Sequence, residues 1–492
     1  MARQTVTKNV RPATVRITGE LRERLEALLY SRYPKKEWAT FFIFGLRETP
    51  EGAVLTLVDL LAPRPGDLNP NIAIVEFQEP YSLRAALFLR SSDLFIGVIH
   101  SHPQGVAPLP STLDDNMDDY YREYCSGFSK SPGYFSLIFA EDKSGRVQFS
   151  GRGWIGDQTY TVQHLVTAGR THITRNSIRP KRILDPEYRE RLQRIYGEAA
   201  AIRLLNSSVV IVGCSGTGSP AAETLARAGV GRFILIDPQR LDKSNLERVH
   251  GSYPEQFIRQ PYPYKVQSLR DLILRINPHA EVIPIVGNIL QQRARDYAVT
   301  ADVLLCCTDS NHSRAASAEL AYRYLLSAID IGVQLDGEKG QVNHEVGQHT
   351  VYAPGLPCAY CRDAIDAWAI QVELMSDEEK ARRRREAEAA TARGDDARGY
   401  WRDVPALPTV GHFTALAGNL AASYAIGWLT GTFFPPRNFF QFDILGDGFN
   451  FVGFDVDPRQ NCVCQRLIGY SDQGAADTMV SAPDHWPEPI LL

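Results

Sequence analysis

Two histidines two residues apart, His100 and His102, close the apolar run FIGVIH, and Ser111 and Asp114 follow shortly after. Residues i and i+2 of a strand face one side. Both imidazoles can therefore reach one ion, and a carboxylate at the start of a following helix can supply a third ligand. Three protein ligands leave a position for water, whose pKa zinc lowers to about 7, and a base must then take the proton. A lone H-x-H on a strand is equally compatible with packing; the ordered proline, serine and aspartate shift the reading to metal. Downstream, Cys358-x-x-Cys361 and Cys462-x-Cys464 form two close pairs that together make a tetrahedral thiolate zinc site, buried unpaired thiols being the alternative. Between these clusters, Gly213-Cys214-Ser215-Gly216-Thr217-Gly218 follows the apolar VVIV. Such a loop offers backbone N–H groups and a helix N-terminus to phosphate, with glycines at 213, 216 and 218 permitting close approach. Asp237, after the next apolar run, is placed to take ribose hydroxyls.

These groups need two different scaffolds. Residues 12–160 mix a helical stretch at Leu21–Leu29 with strands at Trp38–Phe44, Val54–Leu61, Phe95–Ile99, Tyr134–Ala140 and Arg146–Phe149, an α+β domain. Residues 161–200 are polar and arginine-rich, a linker and docking arm. From 201 to 466 apolar strands alternate with helical stretches as a doubly wound α/β sheet demands. Within that span, Ser376 and Glu379 form a capping box ahead of a charged helix over 376–394, a solvated crossover with Gly394 as its C-cap. Residues 467–492 read as a loosely ordered C-terminal tail.

Composition narrows the function classes. The chain has 492 residues, 53 basic and 57 acidic side chains and a formal charge of -4, which gives no reason to expect nucleic acid as a partner. No run is apolar enough to span a bilayer and the start lacks a signal-peptide core, so no membrane is expected and the location reads as cytoplasmic. Eight cysteines are too few for a disulfide scaffold in so long a chain.

The string His100, His102, Pro103, Ser111, Asp114 resembles the JAMM motif of JAB/MPN metalloproteases, over roughly residues 12–155. That resemblance implies zinc held by His100, His102 and Asp114, Glu37 in KKEWATFFIFG as general acid/base, and Ser111 steadying the oxyanion. The intervals His102 to Ser111 and Glu37 to Gly45 are each one residue longer than the usual pattern.

The second half resembles the ThiF/MoeB and ubiquitin-activating enzyme superfamily, a Rossmann-like adenylation fold, over residues 190–466. The residues that carry this are the glycine loop, Asp237, Asn245 and Arg248 in SNLER, Lys265, and Asp309 in TDSNHSR. The resemblance implies ATP as co-substrate, Asp237 on its ribose, Asn245, Arg248 and Lys265 on its phosphates, magnesium on Asp309, and structural zinc on the four cysteines. It also implies that Arg191 reaches ATP across a homodimer. Gln239 stands where the family usually has a second aspartate. No cysteine lies between 362 and 461, so no internal thioester is expected. Cys306 and Cys307 sit in an apolar strand where burial blunts reactivity.

Both halves then handle one kind of substrate, the C-terminus of a ubiquitin-like protein. The expected function is a bifunctional enzyme: a zinc (iso)peptidase that processes or deconjugates such a protein, plus ATP-dependent adenylation of its carboxylate, working with a conjugating enzyme. The alternative is sulfur-carrier processing and adenylation for thiocarboxylate formation with a sulfur donor. Two further readings are a non-catalytic scaffold and a dehydrogenase, the latter having no use for Arg248, Lys265 and Asp309.

Overall fold

A computed structural model describes residues 10–30, 36–70, 75–169, 173–177, 187, 189–404, 409–445, 450–474 and 480–492. The chain divides into two compact units. One comprises residues 1–181, 322–325 and 466–477; the other 182–321, 326–465 and 478–492.

The first unit holds strands β1 (Arg11–Thr18), β2 (Ala39–Thr49), β3 (Gly52–Leu61), β4 (Leu68–Pro70), β5 (Val75–Phe77), β6 (Phe95–Ser101), β7 (Tyr134–Glu141), β8 (Val147–Ile155), β9 (Gln158–Ala168) and β10 (Thr174–Ser177). Its helices are α1 (Gly19–Tyr30), α2 (Glu79–Ser91) and α3 (Thr112–Ser126). The main sheet runs β1-β3-β2-β6-β7-β8-β9-β10 and closes on itself where β1 also pairs with β9. Strand β2 is buried at nearly every position because both faces are covered. Phe42 and Phe44 pack with Leu21 and Leu25 of α1, while Phe41 and Ile43 pack with Tyr81 of α2 and Tyr121 of α3. Burial of one such side chain contributes about 1.5–3 kcal/mol.

Strand β6 alternates in the same way. Phe95 and Ile99 face the α1 side, Ile96 and Val98 the α2/α3 side, and continuing that period brings His100 and His102 out on the face that carries α3. Buried Asp118 ties α3 to the sheet by accepting from Tyr134 OH (3.1 Å), Ser136 Oγ (2.9 Å) and Arg152 Nε (2.6 Å).

The second unit holds β11 (Ser208–Val212), β12 (Arg232–Ile236), β13 (Glu281–Val286), β14 (Val303–Cys306), β15 (Ser327–Glu338), β16 (Gln341–Tyr352), β17 (Phe439–Asp443), β18 (Asn450–Phe454) and β19 (Ile490–Leu491). Its helices are α4 (Glu190–Tyr196), α5 (Glu198–Leu205), α6 (Gly218–Ala228), α7 (Lys265–Ile276), α8 (Gln292–Ala298), α9 (Asn311–Arg323), α10 (Ala367–Leu374), α11 (Asp377–Ala392), α12 (Gly411–Thr430) and α13 (Val463–Arg466). Strands β13-β12-β11-β14-β15 are parallel, and β16, β17 and β18 extend the β15 edge antiparallel. Strand order therefore reverses between β11 and β14, the place where doubly wound sheets bind ligands at their carboxyl ends.

Three features differ from the sequence reading. The first sheet runs past residue 160, since β9 reaches Ala168 and β10 lies beyond it; residues 170–172, 178–186 and 188 of the expected linker lie outside the described residues. The described residues of that span from Glu190 onward form α4 and the start of α5 rather than a bare arm. The described residues of the tail are not loose. Gln473 Oε1 accepts from Leu46 N at 2.7 Å, Ser471 is fully buried against Thr56 Oγ1 at 2.7 Å, and β19 pairs with β13. These contacts are made with strands distant in sequence, so no local periodicity announces them. The crossover helix is as expected: Ser376 Oγ accepts from Glu379 N at 3.2 Å, and Gly394 has φ +81°.

His349 on β16 is fully buried. Its Nε2 donates to Ala417 O of α12 at 3.0 Å, while Nδ1 has no hydrogen-bond partner among the described residues. Burial pushes its pKa down from 6.5 to about 4. The unfolded chain binds this proton below about pH 6.5 and the folded chain does not, so stability falls as pH drops from 6.5 to 4, by up to about 3 kcal/mol. His349→Gln is expected to flatten that part of the stability–pH curve, measured by urea unfolding at a series of pH values.

Candidate functional site

The first site is built where β6 ends and α3 begins. His100 Nε2 lies 3.3 Å from His102 Nε2 and 3.1 Å from Asp114 Oδ1, and His102 Nε2 lies 4.0 Å from Asp114 Oδ2. All three residues are buried. Ligands about 2.0–2.1 Å from a tetrahedral zinc stand about 3.3 Å apart, so the donor set fits that ion. His102 Nδ1 donates to Ala107 O at 2.9 Å, which leaves Nε2 as a bare lone pair facing the cluster. Ser111 caps α3. Its amide and hydroxyl both donate to Asp114 Oδ2, at 2.6 and 2.7 Å, so in this structure the hydroxyl aims a metal-type carboxylate. Those bonds and His100 hold the Asp114 pKa far below the carboxylate range against burial, which acts the other way.

Glu37 lines the same cleft as His100 and Asp114, a cavity of 790 Å³ that also presents Leu83, Met117, Tyr120 and Tyr124. Burial pushes the Glu37 pKa up, and the neighbouring His100 partly offsets this. A carboxyl group so placed is suited to take up and return a proton within the cleft.

The four cysteines expected to pair do converge. Cys358 Sγ lies 3.9 Å from Cys361 Sγ and 3.7 Å from Cys462 Sγ, and Cys361 Sγ lies 3.7 Å from Cys464 Sγ. Disulfides need about 2.05 Å, whereas four thiolates about 2.3 Å from one zinc stand about 3.8 Å apart. Gln465 Nε2 donates to Cys464 Sγ at 3.0 Å and Arg459 N to Cys361 Sγ at 3.4 Å, as the outer shell of a thiolate centre would. A hydrogen bond from Cys358 leads in drawing the Cys464 thiol down to about 5.

The third site lies at the strand-order reversal. Gly213 has φ +91°, and a Cβ there would stand 2.5 Å from Cys307 O; one on Gly218 would stand 2.0 Å from Gly213 O. Only glycine fits such crossings of backbone. Asp237 pins the loop, its Oδ2 accepting from Cys214 N and its Oδ1 from Gln239 N, both at 2.8 Å. Burial raises the Asp237 pKa, with Lys265 the largest opposing influence. Lys265 opens α7, and its Nζ donates to Gln239 Oε1 at 2.6 Å, so the glutamine found in place of a second aspartate holds the lysine beside Asp237.

Asn245 is buried in a short turn, its Oδ1 accepting from Asp242 N at 3.1 Å. Arg248 Nη1 donates to Thr409 Oγ1 at 2.7 Å, and its Nε is buried without a partner among the described residues, a donor that suits an anion. Asp309 is exposed on the loop after β14, and Arg191 is exposed on α4. One solvent-facing carboxylate is the kind of donor magnesium takes together with water and substrate oxygens.

Helix α6 has no side-chain cap among the described residues; the Ser219 amide turns back on Ser215 O at 2.9 Å and Pro220 carries no N–H. At the other helix starting here, α9, the amides of Asn311 and His312 already donate to Glu373, both at 2.9 Å. Sequence reasoning missed Glu373, Gln465 and Thr409, because each reaches its partner across a fold-level contact with no local motif.

A glycine loop and an uncapped helix at the reversal point of a parallel sheet define a doubly wound α/β domain of the anion-binding class. The chain belongs to the ThiF family, whose sequence model matches residues 188–464. It is 36% identical over 162 residues to the molybdopterin-synthase adenylyltransferase of Escherichia coli, covering 32% of this chain and 59% of that protein. It is 33% identical over 169 residues to the adenylyltransferase and sulfurtransferase MOCS3 of Drosophila ananassae, covering 34% of each. The matched stretch thus spans about a third of the fly protein and under two thirds of the bacterial one. The solved structure of E. coli MccB superposes with a TM-score of 0.43 at 18% identity, covering 59% of this chain and 75% of that one.

Metal analysis of the purified chain is expected to give two zinc ions per polypeptide. His102→Ala should lose the first and Cys361→Ser the second, each sparing the other; a variant that loses both would show that the sites are not independent.

Proposed function

We propose that the chain uses ATP to adenylate the C-terminal carboxylate of a small ubiquitin-like carrier protein of the sulfur-carrying kind, and that its first unit is a zinc-dependent peptidase acting on the same kind of terminus. The observation that carries the adenylation reading is the gathering of the glycine loop, Asp237 and Lys265 around the uncapped start of α6. Relatives bearing the names adenylyltransferase and sulfurtransferase favour sulfur-carrier chemistry over protein conjugation.

In this reading a carboxylate oxygen of the carrier attacks the α-phosphorus of ATP, the acyl phosphate bond forms and pyrophosphate leaves. The amides of the glycine loop hold phosphate oxygens, while Lys265, Arg248 and Asn245 offset the charge on the triphosphate as it develops on the leaving group. Asp237 takes the ribose with lone pairs its two amide bonds leave over, and Asp309 holds magnesium. Arg191, exposed on α4, suits a reach across a homodimer.

The cysteines outside the thiolate cluster are buried. Burial pushes the Cys125 and Cys307 thiols up to about 12 and holds Cys214 and Cys306 well above the usual thiol value. None is a ready nucleophile. The adenylate therefore passes to an external thiol or sulfur donor.

For the peptidase, zinc on His100, His102 and Asp114 would supply Lewis acidity to the reacting groups. Glu37 takes a proton from the attacking water and returns it to the leaving amine. Ser111 keeps Asp114 aimed, and the cleft of Tyr120, Tyr124, Met117 and Leu83 receives the extended tail. Among the described residues no helix is long and apolar enough to cross a membrane.

The test incubates the chain with ATP, magnesium and a ubiquitin-like carrier bearing a short C-terminal extension, read by intact mass spectrometry. Trimming and an AMP adduct are both expected. Glu37→Gln should abolish trimming and keep zinc, while Asp309→Ala should lower adduct formation at least about a hundredfold, in the range seen when a transition-state electrostatic contact is removed. An adduct in the wild type with no trimming of any extension would remove the peptidase half alone.

A further inference from the structure

The carboxylate of Glu373, far along the chain from the nucleotide loop, makes a dense set of contacts with the residues just after Asp309. Its Oε1 accepts from Asn311 N at 2.9 Å and Asn311 Nδ2 at 3.3 Å; its Oε2 accepts from His312 N at 2.9 Å and His312 Nδ1 at 2.7 Å. The first two amides of α9 thus end on one carboxylate from α10. A helix start binds an anion favourably because its first amides are orphaned and its dipole is positive there.

The contact is reinforced on both sides. Asn311 Oδ1 accepts from Asp366 N at 3.0 Å, and Asp366 is the N-cap of α10. His312 Nε2 accepts from Asn288 Nδ2 at 2.8 Å, which leaves Nδ1 as the protonated nitrogen that donates to Glu373. Trp486 packs edge-on against the same imidazole, with ring centroids 5.5 Å apart. The loop Cys307–Ser310 therefore runs from β14, at the reversal point, into a helix start that is held from three sides. Thr308 Oγ1 accepts from Ser310 N at 3.2 Å and tightens the turn that presents Asp309.

We infer that Glu373 is a positioning residue for the nucleotide site: by holding the first two amides of α9 it fixes the loop that presents the Asp309 carboxylate to a nucleotide-bound magnesium ion. The inference rests on the reading of Asp309 as the magnesium ligand. Both carboxylate oxygens of Glu373 are engaged by the helix start. The charge stays on Glu373 because its hydrogen bonds outweigh burial and hold its pKa below the usual glutamate value. The same contact registers the segment carrying α10 and α11 against the nucleotide loop, so loss of Glu373 loosens one end of that loop while the glycine loop, Asp237 and Lys265 remain in place.

The experiment measures ATP affinity by calorimetry with magnesium and with EDTA, for the full-length wild type, Glu373→Ala, Glu373→Gln, Asp309→Ala and the double variant Glu373→Ala/Asp309→Ala. The wild type is expected to bind ATP about tenfold tighter with magnesium, a gain of about 1.4 kcal/mol. Glu373→Ala should lose most of that gain and bind like wild type in EDTA. Glu373→Gln, which keeps one acceptor oxygen, should fall between. In the Asp309→Ala background, Glu373→Ala should have no further effect, since both changes remove one coupled contact.

Equal weakening of Glu373→Ala with and without magnesium would mark a merely structural role and overturn the inference, as would an undiminished magnesium gain in both Glu373 variants. Should Glu373→Ala fail to fold, the size of the magnesium gain in Glu373→Gln decides alone. An intact magnesium gain in Asp309→Ala would overturn the reading of Asp309 itself and this inference with it, whereas a gain lost in Asp309→Ala and kept in Glu373→Ala would overturn the inference alone.

Discussion

The second unit depends on a place where three stretches of backbone pass too close for a side chain. Where the parallel sheet reverses order, Gly213 lies against Cys307 O and Gly218 against Gly213 O, at distances no Cβ can occupy. That crowding brings the end of β11 against the end of β14 and drops the start of α6 onto the loop. Asp237 then fixes the loop from the side by accepting two amides, and Lys265 is held over Asp237 through Gln239. The path of the loop is a consequence of this packing, because glycine is the only residue that lets the chain pass there.

The two helices that start at this edge resolve the same physical problem in opposite ways. Each has orphaned amides and a positive end. Helix α9 satisfies them internally with Glu373, drawn from another segment of the fold, while α6 is left without a side-chain cap. One helix start is tied to a carboxylate from another segment of the fold, whereas at the other the Ser219 amide turns back on Ser215 O within the glycine loop.

The first unit solves a different problem, that of gathering lone pairs in a buried place. Two imidazoles and a carboxylate bring their donor atoms within 4.0 Å of one another. Ser111 and Ala107 fix the directions of Asp114 and His102, so the arrangement is preorganised. The thiolate cluster has the same logic, with N–H donors from Gln465 and Arg459 placed on sulfur. In both, outer hydrogen bonds set the geometry of the inner donors.

Much of this was legible in the residues alone. The i, i+2 spacing put His100 and His102 on one side of the chain where β6 ends. The strand, glycine loop and helix around Gly213 announced a βαβ unit. Paired cysteines in an otherwise cysteine-poor chain announced a cluster, and Ser376 and Gly394 marked the ends of α11. These signals are local: spacing, alternation and capping act over a few residues, so the sequence by itself determines them. Tertiary structure alone decided that residues 466–477 join the first unit and β19 the second, that Ser111 serves Asp114, that Gln239 carries Lys265, and that Glu373 caps α9. For the docking of the tail and the Glu373 cap, the physical reason is that a hydrogen bond between groups tens or hundreds of residues apart depends on how the sheet is wound, and no short-range pattern encodes that.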